Sequence, residues 1–326
     1  MSGRSVRYMF QPSRRAVLAG LAAAALPGIG RAAGGIDMVA TTGMIADTAR
    51  VVGGDRVAVR ALMGPGVDPH AYRQTRSDIV AMTRADLVLW HGLFLEAQMV
   101  DFFADLAGAT RVAAVGEAVP QDALLGHDDY ADKFDPHVWM DPRLWTHVID
   151  AVAAELGEAD PAGAEVFAAN AAAYRAEMDD LARYSTEVLS TVPEASRVLV
   201  TAHDAFKYFG AAHGFEVMGI QGISTESEAG VRRIAELVSV LVDRGIGAVF
   251  VESSVSDRSV RALIEGAAAR RHEVTIGGEL FSDAMGQEGT YEGTYLGMID
   301  HNVTTIARAL GGEAPEGGWK GQLVAS

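Results

Sequence analysis

Cysteine is absent from the 326 residues. Without a thiol there is no disulfide, no thiolate metal ligand, no cysteine nucleophile and no lipid anchor built on an N-terminal cysteine. Basic residues are scarce: 27 Lys and Arg stand against 43 Asp and Glu, for a formal net charge of −16. That sign argues against nucleic acid as a partner and against polybasic attachment to a membrane surface. It concentrates cations modestly around the chain. Long apolar runs are also missing. The most extended, 16–26, has eleven residues, where a bilayer-spanning helix needs about 20. What remains is 49% hydrophobic and 21% charged, the profile of a globular chain rather than a disordered one. The length suggests two domains or lobes, each able to bury its own core.

Residues 1–32 contain Arg4, Arg7, Arg14, Arg15 and Arg31 and no acidic residue. A basic region, a short apolar core and then small residues form the order of a secretory signal peptide. Gly30-Arg31-Ala32 offers a small-x-small cleavage site, so the mature chain is expected to begin near residue 33. Ser13-Arg14-Arg15-Ala16-Val17-Leu18 also resembles a twin-arginine export motif, although Val17 is a weaker match than Phe. Losing the five arginines would move the net charge from −16 to −21. The expected product is an exported, soluble periplasmic protein.

Short apolar segments alternate with helical ones along the mature chain. Strands are expected at 36–41, 56–63, 86–90 and 111–115, and again at 197–201, 215–219, 247–251 and 273–276. This is the signature of βαβ units and parallel sheets. The longest helical stretch, 161–192, opens with Asp160 as N-cap and Pro161 at the first helical position. The expected fold is α/β: an N-terminal lobe over 33–160, a rigid spine helix over 161–192 and a C-terminal lobe over 193–312. A flexible tail is expected over 313–326.

In open α/β sheets, ligands bind beyond the carboxyl ends of the strands. Of nine histidines, His70 and His203 follow strands, and His137 lies in a strand-to-helix connection, as does Asp283. Asp-Pro-His occurs twice, at Asp68–His70 and Asp135–His137. The proline holds the residue before it extended and stiffens the approach to each histidine. Adjacent carboxylates can hold the second ring nitrogen, which singles out Asp68, Asp135 and Asp204, with Glu252 at a strand end as a fourth. Three imidazoles and a carboxylate suit zinc and are acceptable for manganese or ferrous iron. Spacing alone does not establish such a site, because no HExxH or close His pair is present. His147, His213, His272 and His301 read as surface or structural, and Trp90, Trp139, Trp145 and Met140 as core packing.

At these residues the sequence resembles the solute-binding proteins of zinc and manganese ABC transporters, the TroA-like group. The likeness runs from about 36 to 310. It is carried by Gly66-Val67-Asp68-Pro69-His70-Ala71-Tyr72, by Asp135-Pro136-His137-Val138-Trp139-Met140-Asp141-Pro142 and by Thr201-Ala202-His203-Asp204-Ala205-Phe206-Lys207-Tyr208-Phe209. Gly219-Ile220-Gln221-Gly222-Ile223-Ser224-Thr225 and Gly277-Gly278-Glu279-Leu280-Phe281-Ser282-Asp283-Ala284-Met285-Gly286 continue it. The resemblance implies His70, His137, His203 and Asp283 as metal ligands in a cleft between two lobes joined by one helix. It implies one divalent transition metal per chain, zinc or manganese with ferrous iron as a further cargo, delivered to a membrane permease. A monomer is expected.

Many manganese binders of the group carry Glu where this chain has His203, which leans toward zinc or dual use. The loop before His137 holds one histidine, unlike the His-rich loop of many zinc scavengers, and His91 stands where Asn is common without becoming a ligand. Because neutral histidines bind the metal, affinity is expected to fall as pH drops through about 6.5. Two other functions would use the same residues or architecture: a metallohydrolase, and a binding protein for an organic, siderophore-type ligand.

Overall fold

Period-two alternation decides how the first sheet is buried. The computed structural model describes residues 35–127 and 130–323. Strands β1 (Ile36–Ala40), β2 (Val57–Ala61), β3 (Leu87–Trp90) and β4 (Arg111–Ala114) form a parallel sheet in the order β2-β1-β3-β4. Ile36, Met38, Ala40, Leu87 and Leu89 enter one apolar cluster, while Val39 and Val88 enter another with Met82, Met99 and Phe103. Both faces are therefore covered by helices, as a parallel sheet requires. The intervening helices are α1 (Gly43–Gly53), α2 (Arg76–Arg84) and α3 (Val100–Leu106). Thr75 and Asp78 close a reciprocal capping box at the start of α2.

Helix α4 (Pro142–Ala159) starts at Asp141, whose side chain accepts from the Arg143 N–H, with Pro142 at the first position. The longest helix, α5 (Ala164–Ser190), has 27 residues and at 1.5 Å per residue is about 40 Å long. Phe167, Ala171, Tyr174, Met178, Leu181, Ser185 and Val188 recur every three or four residues and form its buried stripe. That stripe lies against α1, α4 and α9 (Tyr295–Ala309). Asp160 does not cap this helix. Its carboxylate pairs with Arg56, and a 3-10 turn at Pro161–Gly163 leads in instead.

The second half repeats the α/β plan. Strands β5 (Val198–Thr201) and β6 (Glu216–Gly219) pair in parallel, as do β7 (Ala248–Glu252) and β8 (Thr275–Leu280), and β5 lies beside β7. Helices α6 (Lys207–His213), α7 (Val231–Arg244) and α8 (Arg258–Ala269) connect them. Helices α6 and α7 end on Gly214 and Gly245 in the left-handed conformation, where glycine carries no Cβ penalty.

The stretch from 313, expected to be flexible, is instead docked as far as residue 323. The Trp319 N–H donates to the Asp300 carboxylate at 2.9 Å, Lys320 pairs with Glu177 at 3.0 Å, and Arg308 donates to the carbonyls of Pro315 and Glu316. The Trp319 ring packs on the main core, so the glycine- and proline-rich composition hid an aromatic anchor. The leader expected at 1–32 lies outside the described residues. Among the described residues no helix is long and apolar enough to cross a membrane.

Candidate metal centre

Each of the four singled-out side chains leaves a loop where regular structure stops. His70 lies between β2 and α2, and His137 lies between β4 and α4 at the start of a 3-10 turn. His203 follows β5 directly, and Asp283 follows β8. The two halves of the chain thus contribute two side chains each.

The structure brings all four together. One donor atom from each lies within 4.8 Å of every other, and all four residues are buried. The Nε2 atoms of His70 and His203 each stand 3.3 Å from Nε2 of His137. Asp283 Oδ1 is 3.3 Å from His137 Nε2, and Oδ2 is 3.2 Å from His203 Nε2 and 3.8 Å from His70 Nε2. A tetrahedral ion with bonds of about 2.0–2.1 Å holds neighbouring donors about 3.3–3.4 Å apart, so the spacing matches one ion's coordination shell. Both carboxylate oxygens of Asp283 are buried without a hydrogen-bond partner. Such an arrangement is costly unless a cation completes it. No other group of three or more His, Asp or Glu among the described residues has this geometry.

The surrounding carboxylates divide the work unevenly. Asp135 Oδ1 pairs with His137 Nδ1 at 2.7 Å and accepts from its backbone N–H at 2.9 Å. Glu252 does the same for His203, with Oε2 on Nδ1 and Oε1 accepting from the backbone N–H at 2.9 Å. A proton held at Nδ1 leaves the Nε2 lone pair pointing at the centre. Asp68 accepts from the His70 backbone N–H at 2.9 Å rather than from the ring. Asp204, expected to back His203 as its chain neighbour, does not. Its carboxylate pairs with Lys207 at 3.0 Å, and its other oxygen is buried without a partner. Glu252, 49 residues away in sequence, takes that place.

Burial and charge pull the imidazoles apart. Burial opposes protonation of His137, but the carboxylates of Asp135 and Asp283 outweigh it and push its pKa up to about 9. His203 is likewise raised, burial being overcome by Asp283 and Glu252. Burial lowers His70 to about 3, against the attraction of Asp283. Burial alone would raise Asp283, yet the charge attraction of His203 and His137 holds it well below the carboxylate range. The neighbouring carboxylates thus favour the protonated form of His137 and His203, and burial favours the neutral form of His70.

Trp139, read from the sequence as core packing, also supports the site, together with Tyr295 and Tyr208. The Trp139 indole N–H donates to the carbonyl of Ser282 at 2.8 Å, immediately before Asp283. The Tyr295 hydroxyl donates to the Trp139 carbonyl at 2.7 Å, and the Tyr208 hydroxyl to that of Asp135 at 2.8 Å. His91 contacts the Pro136 carbonyl through Nε2 at 2.7 Å and does not join the cluster. Nothing in the local sequence around Trp139 or Tyr295 signals these bonds, because each partner is distant in the chain.

Two α/β lobes around a buried three-histidine, one-carboxylate centre define a class: extracytoplasmic binding components that capture a transition metal for uptake. Residues 38–309 match the family described as the periplasmic zinc-uptake complex component A, ZnuA. The chain is 47% identical over 275 residues to the manganese-binding lipoprotein MntA of Bacillus subtilis (strain 168), covering 84% of this chain and 90% of that protein. It is 45% identical over 280 residues to the zinc-binding protein TroA of Treponema pallidum (strain Nichols), covering 86% and 90%. The solved structure of the periplasmic zinc-binding protein TroA from Treponema pallidum superposes with a TM-score of 0.83, at 45% identity and over 85% of this chain and 99% of that one. The chain belongs to the ZnuA family and is the metal-binding component of a metal-uptake ABC transporter.

Proposed function

We propose that His70, His137, His203 and Asp283 bind one divalent transition metal, zinc or manganese, for hand-over to the membrane permease. The observation that carries this reading is the pair of buried Asp283 oxygens, without hydrogen-bond partners, lying 3.2–3.8 Å from three Nε2 atoms. The donor set also suits ferrous iron, whereas magnesium and calcium prefer oxygen. MntA is named for manganese and TroA for zinc, and a mixed nitrogen and oxygen set accepts either. In vitro, zinc would bind more tightly by the general affinity order, so availability decides the cargo.

Capture rather than catalysis is supported by the donor set. Four protein donors close around one point, whereas a hydrolytic metal centre keeps a position open for water. The chain is read as an exported monomer that works in the periplasm. MntA is named a lipoprotein, whereas the 326 residues hold no cysteine. The test is elemental analysis of protein purified without chelators from cells grown in equal, limiting zinc and manganese. About one equivalent of either metal is expected, and its loss in His137→Ala and Asp283→Ala. Metal-free wild type under both conditions would overturn the reading.

A further inference from the structure

His137 and His203 are each fixed within their own lobe. Asp135 precedes His137 by two residues, and Glu252 closes β7, the strand beside the one that leads to His203. His70 differs. It lies on an irregular loop between β2 and α2, and no carboxylate among the described residues pairs with its Nδ1. The loop is held through Asp68, which accepts from the His70 backbone N–H at 2.9 Å with Oδ1. With Oδ2 the same carboxylate accepts from the Thr225 hydroxyl at 2.5 Å. Thr225 belongs to the other lobe, on the loop between β6 and α7. A second cross-lobe bond ends on that loop, from Gln98 Nε2 to Glu226 Oε1 at 2.6 Å.

We propose that Thr225 is a positioning residue for metal retention: through Asp68 it clasps the His70 loop to the opposite lobe and so sets how fast the metal leaves. The inference rests on the metal-capture reading above. Thr225 makes no hydrogen bond to any of the four donor side chains; its hydroxyl donates to Asp68. The other three donors have supports that do not pass through Thr225: Asp135 for His137, Glu252 for His203, and Trp139 bracing Ser282 beside Asp283. When the Thr225–Asp68 bond breaks, the loop loses its restraint, and His70 is the first donor to disengage. The other three donors keep their own supports, so capture should be nearly indifferent to the clasp.

The test is stopped-flow release of Zn²⁺ from the full chain into excess chelator, alongside the association rate and the melting temperature of the metal-free protein. Thr225→Val keeps the side-chain shape and removes the hydroxyl. It is expected to speed release about tenfold, the size of one lost hydrogen bond to a carboxylate. Association should stay within about twofold and the metal-free melting temperature should not move. Thr225→Ser, which keeps the hydroxyl, should restore slow release. Asp68→Asn should also speed release, and combining it with Thr225→Val should add little, because both break one chain of bonds. Wild-type release rates in Thr225→Val, no rescue by Thr225→Ser, or additive effects in the double variant would overturn the clasp. A wild type that binds no zinc would instead overturn the metal-capture reading beneath it.

Discussion

As the proposed metal ligands, the imidazoles of the centre would have to compete with protons, and that competition is set by their carboxylate neighbours. From an ordinary imidazole, affinity should fail only below about pH 6.5. Asp135 and Asp283 move that boundary, since His137 is raised to about 9 and His203 also lies above its usual range. Metal needs the deprotonated Nε2 atoms, so binding releases protons. Affinity should keep rising with pH through neutrality toward about 9, and fall progressively as the pH is lowered. Calorimetry of zinc binding in two buffers of different ionisation enthalpy should show at least about one proton released per ion at pH 7. The same buffer-independent heat in both would contradict this. Supporting carboxylates separate just as sharply. Glu252→Gln should weaken binding by about 10–100-fold, the usual cost of losing such a support. Asp204→Asn should leave affinity within about twofold, because its carboxylate faces Lys207. Titration of both variants distinguishes the two roles. Asp135 was legible in the Asp-Pro-His repeat because it lies two residues from its histidine. Glu252 was legible only as a strand-end acid, because its pairing with His203 spans 49 residues.

At the scale of elements, strand exits and helix supports do different work. The donors sit on loops, where backbone direction is free to aim them, and the sheets behind them supply the rigidity. These positions could be read from sequence, because short apolar runs ending in Gly, Pro or His mark strand exits. Helix ends were less readable. Asp160 has the composition of a cap, yet Arg56 claims its carboxylate. The last segment looked unstructured, yet Trp319 and Asp300 fasten it. Both errors share a cause: a local signal was overridden by a partner far away in sequence. The long helix α5 buries one full stripe, with Leu181 fully buried in the main apolar cluster. Leu181→Ala should destabilise the protein by about 2–5 kcal/mol through the cavity it leaves. Zinc stoichiometry should stay unchanged, because no donor lies on α5. Denaturant unfolding with parallel metal titration would check both halves of that expectation.

The two lobes are joined by one shared apolar cluster, and each also keeps a cluster of its own. The main apolar cluster runs from β1 and β3 through α4 and α5 to Phe206, Phe250 and α9. Asp47 on α1 accepts from the Tyr295 N–H at 2.9 Å and the Tyr174 hydroxyl at 3.3 Å, tying three helices across the division. Lobes fused in this way move little relative to each other, so metal release must depend on local loosening near the donors rather than on a wide hinge. Metal should therefore stabilise the molecule as one cooperative unit. At free zinc of 100 times Kd the gain is about 2.7 kcal/mol, seen calorimetrically as one transition shifted upward by several degrees. Asp283→Ala should lose most of that shift.

The sequence by itself determined the alternation of strands and helices, the missing thiol chemistry and the loops on which three histidines and an aspartate are mounted. These are local properties, written in hydrophobic period, turn residues and residue type. Tertiary structure alone decided that Glu252 rather than Asp204 supports His203, which lobe restrains His70, and in which direction each imidazole pKa is pushed. Those outcomes depend on burial and on charges brought within about 4 Å by chain folding, and no pattern along a single stretch of sequence encodes that proximity.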